Sequence, residues 1–199
     1  MSDTVRALLT DLTTADAAAA AAVRSRSEQV LRPAGALQRL DDLAEHVAGW
    51  HATPAPSIDA PAVLVFAGDH GVVAAGVSRY PSEVTGAMFA AVRAGKATIN
   101  AFARSTGATL DVFDVGVGEP TGDIRIEPAM TLSRLDAIAQ IAIDAVDAAT
   151  AAGADLLVLG ELGIGNTTIS AALPAALLGG GAERWVGRGA GIDDDGLAR

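Results

Sequence analysis

The chain of 199 residues contains no cysteine, which excludes disulfides, thiolate metal sites and cysteine nucleophiles. Aromatic residues are also scarce at 4%, so its helices are expected to pack closely on small side chains. Basic residues are outnumbered, and the formal net charge of −10 argues against nucleic acid and against an anionic membrane surface as partners. No apolar run approaches the ~18 residues of a membrane span, and the start does not resemble a secretory signal. The expected location is therefore the cytoplasm.

Several catalytic motifs are missing as well. The sequence has no Gly-x-Ser-x-Gly elbow, no His-Glu-x-x-His pair and no P-loop. The glycines at 163 and 165 lack the third glycine of a dinucleotide fingerprint, which argues against hydride transfer. We therefore expect neither a metal site nor a cofactor.

Three short apolar runs alternate with helical patterns, which favours an α/β fold built on a parallel sheet with flanking helices. The predicted strands are 62–67, 109–115 and 156–159, and the predicted helices are 3–32, 37–50, 83–94, 96–106, 135–149 and 169–178. Three prolines within 53–61 indicate a linker. It would separate an N-terminal helical part, 1–52, from an α/β part, 62–199.

The stretch from 154 to 168 carries the strongest functional signal. An apolar run typical of a buried strand leads into Gly160, Gly163 and Gly165, then Asn166, Thr167 and Thr168, then a helix. Glycines let a ligand approach the backbone, and the helix N-terminus offers free N–H groups to a phosphate. Thr167 and Thr168 serve equally well as helix caps in an ordinary strand-to-helix turn, so both interpretations stay open. Glu161, a carboxylate just past the expected strand end, favours the ligand site.

Three further groups of polar residues have two interpretations each. Asp69 and His70 follow the first strand and serve either as turn and packing residues or as site residues. Tyr80 is either a loop anchor or an aromatic wall for a flat ligand. Arg188, in a second glycine turn at 187–191, pairs either with a phosphate or with the acidic residues 193–195, which resemble the first turn of a helix. We expect that last element to continue past Arg199.

Taken together, six ordered stretches resemble the nicotinate-nucleotide–dimethylbenzimidazole phosphoribosyltransferase family. They are residues 31–40, 69–73, 76–85, 114–117, 160–168 and 187–194. The resemblance implies a Rossmann-like parallel sheet with a small helical domain, in a homodimer. It also implies transfer of phosphoribosyl from nicotinate mononucleotide to 5,6-dimethylbenzimidazole, which gives alpha-ribazole phosphate and nicotinate for the lower ligand of cobalamin.

The resemblance also assigns residues to the two substrates. The nucleotide is expected on Glu161, Gly163, Gly165, Asn166, Thr167, Thr168, Gly187, Arg188 and Gly189. The benzimidazole base is expected on Asp69, His70, Ser78, Tyr80 and Met88, with Arg79 in the same loop.

The general base of the family is a glutamate in a glycine-rich motif near the end of a longer chain. We therefore expect no catalytic residue within this sequence, and a base beyond Arg199. The alternative is a non-catalytic paralogue or subunit that binds the nucleotide or the benzimidazole.

Overall fold

The computed structural model describes residues 3–10, 12–33 and 35–198. Asp11 within the predicted first helix, Ala34 within the motif at 31–40, and Arg199 lie outside the described residues. The chain forms two compact units, one spanning Arg6–Asp59 and the other the described parts of 1–5 and 60–199. The predicted division into 1–52, 53–61 and 62–199 stays a prediction about domains.

The N-terminal part holds α1 (Asp3–Leu8), α2 (Ala17–Gln29) and α3 (Arg39–His51). The single helix predicted over 3–32 is wrong, because α1 and α2 are separate helices. Asp16 starts the second one: its carboxylate accepts from the backbone N–H groups of Ala18 at 2.8 Å and Ala19 at 3.0 Å. A side chain that accepts from the free N–H groups of a first turn favours the start of a helix at that residue, even within an alanine-rich segment. Helix α3 agrees closely with the predicted helix.

The α/β part alternates strands and helices. Its strands are β1 (Pro61–Ala67), β2 (Thr109–Asp114) and β3 (Leu156–Leu162), and its helices are α4 (Glu83–Arg93), α5 (Thr98–Thr106), α6 (Leu132–Ala151), α7 (Asn166–Leu178) and α8 (Asp194–Ala198). Short 3₁₀ helices lie at Gly71–Ala75 and Ala182–Arg184. In the described parts of the chain, no helix is both long enough and apolar enough to cross a membrane.

The sheet is parallel throughout, with β1 between β2 and β3. Ala62 pairs with Thr109 on one side and with Leu157 on the other. Because β1 is covered on both faces, it is apolar along its length, and Leu64 is only 2% exposed. The three predicted strands are thus present, and the predicted α/β sheet is confirmed.

Strand β3 differs from its prediction in two ways. It was expected to be buried, but it is an edge strand of the described sheet, and Leu159 is 65% exposed. It also runs further than predicted, so Glu161 lies within the strand, opposite Phe66, and not beyond it. An apolar run predicts a strand that is buried on both faces. Whether that strand is central or at an edge depends on the strand order, which the run does not show.

Candidate functional site

The carboxyl ends of all three strands are joined by backbone hydrogen bonds. The Gly68 N–H donates to the Leu162 carbonyl at 3.0 Å, which ties the end of β1 to the end of β3. On the other side, the Val115 N–H donates to the Ala67 carbonyl at 2.8 Å. This edge is where open parallel sheets place their ligands.

Asp69 is buried in this junction and organises the loop after β2. Its Oδ2 accepts from the Gly118 N–H at 2.8 Å, and its carbonyl accepts from the Thr121 N–H at 3.1 Å. Its Oδ1 has no hydrogen-bond partner among the described residues. The contacts of Asp69 with the described chain are therefore those of a turn residue.

His70 lies beside the glycine turn that follows β3. A Cβ built on Gly163 would come within 3.1 Å of His70 Nε2 and would also overlap the Gly68 carbonyl oxygen. Burial lowers the pKa of the His70 imidazole, although the carboxylates of Asp69 and Glu161 act in the opposite direction. Gly163 is thus required by close packing of the two strand-end loops.

The turn after β3 positions the start of α7. Gly165 has a φ of +83°, favourable for glycine, and is the residue that precedes the helix. The buried Thr85 hydroxyl accepts from the Ile164 N–H at 3.0 Å and so holds the turn against α4. Neither Thr167 nor Thr168 caps the helix, because α7 already begins at Asn166.

Glu161 and Asn166 are linked across this turn. The Asn166 side-chain amide donates to the Glu161 carboxylate, and its side-chain oxygen accepts from the Thr167 N–H at 2.8 Å. Glu161 itself is exposed. The carboxylate is therefore fixed in orientation beside the N-terminus of α7 while it stays open to solvent.

The second glycine turn packs against the first turn of α7. A Cβ on Gly189, which has a φ of +48°, would come within 2.7 Å of Thr167 Oγ1, so both the backbone and the close approach favour glycine. Arg188 in the same turn donates to the Asp194 carboxylate and, at 3.1 Å, to the Ile192 carbonyl. Of its two interpretations, the structure shows the pairing with the acidic residues.

A cleft of about 350 Å³ opens between these two glycine turns. Its wall also includes Ser78, Arg79, Ile124 and Arg125. Three arginines, at 79, 125 and 188, line the cleft, whereas no aspartate, glutamate or histidine among the described residues does. In a chain with a net charge of −10, such a cleft is suited to an anionic ligand. No three His, Asp or Glu side chains of the described residues are grouped so as to hold a metal ion.

The cleft brings together most of the residues predicted for the nucleotide. Its lining includes Gly163, Gly165, Asn166, Thr167, Thr168, Gly187, Arg188 and Gly189. Glu161 is outside the lining but contacts Asn166. All of these roles in binding stay predictions.

The residues predicted for the benzimidazole are more dispersed. Ser78 lines the cleft, whereas Asp69 lines a separate depression of about 260 Å³ with Ser82 and Glu83. Tyr80 and Met88 are exposed, at 44% and 41%, and line neither cavity. The structure does not gather these residues into one slot, and their part in base binding stays a prediction.

Sequence reasoning missed Ile124 and Arg125. They lie in the long loop after β2, where the pattern indicates no regular element and the sequence carries no ligand motif. The only local signal is the spacing Asp123-x-Arg125, which forms an ion pair at 2.6 Å.

Comparison with known proteins identifies the family. The sequence pattern of a family described as phosphoribosyltransferase matches residues 12–199. The chain belongs to the nicotinate-nucleotide–dimethylbenzimidazole phosphoribosyltransferase family. The protein of that name from Methylocella silvestris is 45% identical over 99% of this chain, and that from Ruegeria pomeroyi is 51% identical over 92%.

Solved structures agree with this assignment. A crystal structure of CobT from Thermus thermophilus superposes with a TM-score of 0.82 at 40% identity and covers 91% of this chain. A second structure, of the nicotinate-nucleotide–dimethylbenzimidazole phosphoribosyltransferase from the same organism, has a TM-score of 0.81 at 38% identity and covers 92%. The chain spans 57% and 53% of the two curated relatives, and 59% and 58% of the two solved chains.

Proposed function

We propose that this chain carries the nucleotide-binding part of a phosphoribosyltransferase. The reaction would transfer phosphoribosyl from nicotinate mononucleotide to 5,6-dimethylbenzimidazole and give alpha-ribazole phosphate and nicotinate. The observation that carries the proposal is the arginine-lined cleft at the N-terminus of α7, which has no acidic lining residue among those described.

The phosphate of the nucleotide would bind at the first turn of α7. A helix N-terminus carries a partial positive charge that stabilises a phosphate. This charge is what the turn offers, because the N–H groups of residues 166–168 already donate within the chain. Thr167 and Thr168 add hydroxyl donors to the same part of the cleft wall. The close approach of Gly189 to Thr167 keeps the second glycine turn beside this phosphate.

The sugar would then lie toward the end of β3. The transfer breaks the bond between C1′ and the nicotinate nitrogen, which keeps the bonding electrons, and forms a bond from C1′ to a benzimidazole nitrogen. The sugar is oxocarbenium-like in the transition state, so a nearby carboxylate lowers its energy. Glu161, exposed and oriented by Asn166, is the carboxylate best placed for this role.

The benzimidazole must also lose its ring N–H proton as the bond to C1′ forms, which requires a general base. No carboxylate or histidine of the described residues lines the cleft. We propose that the base is a glutamate beyond Arg199, and that Ser78, Tyr80, Met88 and their neighbours contact the benzimidazole. We further propose that the protein works as a homodimer in the cytoplasm, with no nucleic-acid or membrane partner.

Calorimetric titration with nicotinate mononucleotide tests the proposal. We expect binding to the unmodified chain, and an affinity about tenfold weaker for Thr168→Ala, because a hydrogen bond to a charged group is lost. Thr150→Ala, the same change at the exposed end of α6, is the matched control and should bind normally. Absence of heat with the unmodified chain would refute the proposed nucleotide site.

Chromatographic measurement of free nicotinate, with both substrates present, tests the proposal that the general base lies beyond Arg199. We expect little or no release from the 199-residue chain. Rapid release would support the transferase activity and refute the predicted position of the base. Binding of both substrates without release is the result expected if the base is absent, and the alternative, a non-catalytic binding paralogue or subunit, predicts the same result.

A further inference from the structure

The three cleft arginines differ in how their charges are already used. Arg188 is engaged by the Asp194 carboxylate and by the Ile192 carbonyl. Arg79, which is exposed, makes no hydrogen bond or ion pair through its guanidinium with any residue in the described part of the chain. Arg79 is therefore the cleft arginine whose donors are most available to a ligand.

The Arg125 guanidinium is engaged through only some of its donors. Its Nε–H donates to both carboxylate oxygens of Asp123, at 3.0 and 3.1 Å, and its Nη2 donates to Oδ2 at 2.6 Å. Hydrogen bonds from Arg125 lower the pKa of the Asp123 carboxyl, so the pair stays ionised. Asp123 thus orients the guanidinium and leaves Nη1 for other acceptors.

The loop that carries Arg125 is anchored to the strand ends. The Thr121 N–H donates to the Asp69 carbonyl at 3.1 Å, and the Gly122 N–H donates to the Ala129 carbonyl at 2.7 Å. In addition, the Gly71 N–H donates to Thr121 Oγ1 at 3.3 Å. These bonds place Ile124 and Arg125 in the cleft wall, on a segment distinct from both glycine turns.

The proposed nucleotide carries two anionic groups, a phosphate and the carboxylate on its pyridine ring. The N-terminus of α7 and its hydroxyls can satisfy only the group that lies against them. A second anion in the same cleft requires donors from another segment, and a guanidinium matches a carboxylate with two parallel hydrogen bonds. Arg79 and Arg125 are such donors, and both come from segments outside the glycine turns.

We propose that Arg79, with Arg125 in the same cleft lining, binds the ring carboxylate of the nucleotide and so selects nicotinate mononucleotide over nicotinamide mononucleotide. This inference rests on the proposed function. It assigns Arg79 to the leaving base and not to the benzimidazole.

Three ligands separate this inference from the proposed function: nicotinate mononucleotide, nicotinamide mononucleotide and ribose 5-phosphate. The two nucleotides differ only in a carboxylate against an amide, and ribose 5-phosphate lacks the ring. We expect the unmodified chain to bind nicotinate mononucleotide about tenfold more tightly than nicotinamide mononucleotide. A gain of this size is typical of one charge-assisted pair of hydrogen bonds. In Arg79→Gln, only the affinity for the nicotinate form should fall, to the level of the nicotinamide form.

Two further variants complete the test. Arg79→Lys keeps the charge without the planar pair of donors, so it should restore part of the preference. Arg104→Gln, on the exposed surface of α5 and outside the cleft, is the matched control and should keep the whole preference. Circular dichroism of Arg79→Gln should match that of the unmodified chain, because the Arg79 guanidinium has no partner to lose among the described residues.

The outcomes are distinguishable. Equal affinity of the unmodified chain for the two nucleotides, or a preference that survives in Arg79→Gln, would overturn this inference and leave the proposed function standing. Binding of none of the three ligands would overturn the proposed function and this inference with it. Weaker benzimidazole binding in Arg79→Gln, with unchanged nucleotide binding, would assign Arg79 to the other substrate and overturn the inference.

Discussion

The loops that follow β1 and β3 lie side by side, yet they use their polar groups in different ways. After β1, Asp69 is buried, and its carboxylate and carbonyl accept hydrogen bonds from the loop after β2. After β3, the turn from Gly163 to Thr168 lines an open cleft and places the first turn of α7 in its wall. The polar groups of the first loop hold the strand ends together, whereas the second loop lines the cleft that we propose for the nucleotide.

This difference shows that two residues at the ends of neighbouring parallel strands can be engaged in different ways, one within the chain and one in the wall of a cleft. The loop after β1 supports the loop after β3, since Gly68 and His70 pack closely against Gly163. Thr85 of α4 adds a hydrogen bond to the same turn. The strongest tests of the comparison therefore alter the contacts between the two loops.

The largest effect is expected at Gly163. A Cβ there would overlap the backbone of Gly68, which cannot move without disturbing β1. We expect Gly163→Ala to lower the free energy of unfolding by about 3 kcal/mol, the upper part of the range for overpacking. Urea denaturation measures this loss, and nucleotide binding should fall with it.

Gly187→Ala is the matched control. Gly187 also lines the cleft, but a Cβ there has open space around it. We expect a change in unfolding free energy of less than about 0.5 kcal/mol, as for ordinary surface substitutions. If the two alanine variants were equally stable, the two loops would not be tightly packed.

A smaller effect is expected at Thr85, the fully buried residue on α4 that accepts from the Ile164 N–H. Thr85→Val preserves the shape but leaves a buried donor unpaired, which costs about 2 kcal/mol. Thr85→Ser keeps the hydroxyl and should retain the hydrogen bond, although it leaves a small cavity. Thermal denaturation compares the two variants, and we expect a lower melting temperature for Thr85→Val. A lower melting temperature for Thr85→Ser would show that methyl packing outweighs the hydrogen bond to the turn.

The smallest effect concerns pH and His70. Burial lowers the pKa of His70 in the folded chain, so the unfolded chain binds more protons as the pH falls below about 6.5. Folding is then destabilised on acidification, and this penalty is absent above neutral pH. We expect His70→Gln to lose less stability than the unmodified chain between pH 7.5 and 5.5, measured by urea denaturation. An equal loss in both proteins would show that His70 has no part in the acid response.

Much of the fold was predictable from local patterns. The alternating apolar runs and helical stripes predict three strands, the parallel sheet and α3 to α7 with small errors at their ends. The helix at 3–32 was wrong because an alanine-rich composition does not reveal that Asp16 starts a second helix. Strand β3 was misjudged because its apolar run resembles that of the central strand β1, although it lies at an edge.

The candidate site was predictable only in part. The glycines at 163, 165, 187 and 189 are visible as two clusters in the sequence, and the structure places both clusters around one cleft. Arg125 was not predicted, because its loop has no periodicity and the contacts that hold it to Asp69 and Gly71 are distant in sequence. Tyr80 and Met88 share a predicted role, but neither lines the cleft.

By itself, the sequence determined the kinds of element, the family motifs and the acidic, cysteine-free character of the chain, because these depend on local pattern and composition. Only the tertiary structure decided which strand is central, which glycine has room for a Cβ, and which cleft arginine has no partner among the described residues. Those properties depend on contacts between residues far apart in the chain, such as Gly163 with Gly68 or Thr121 with Asp69, and no local pattern records them.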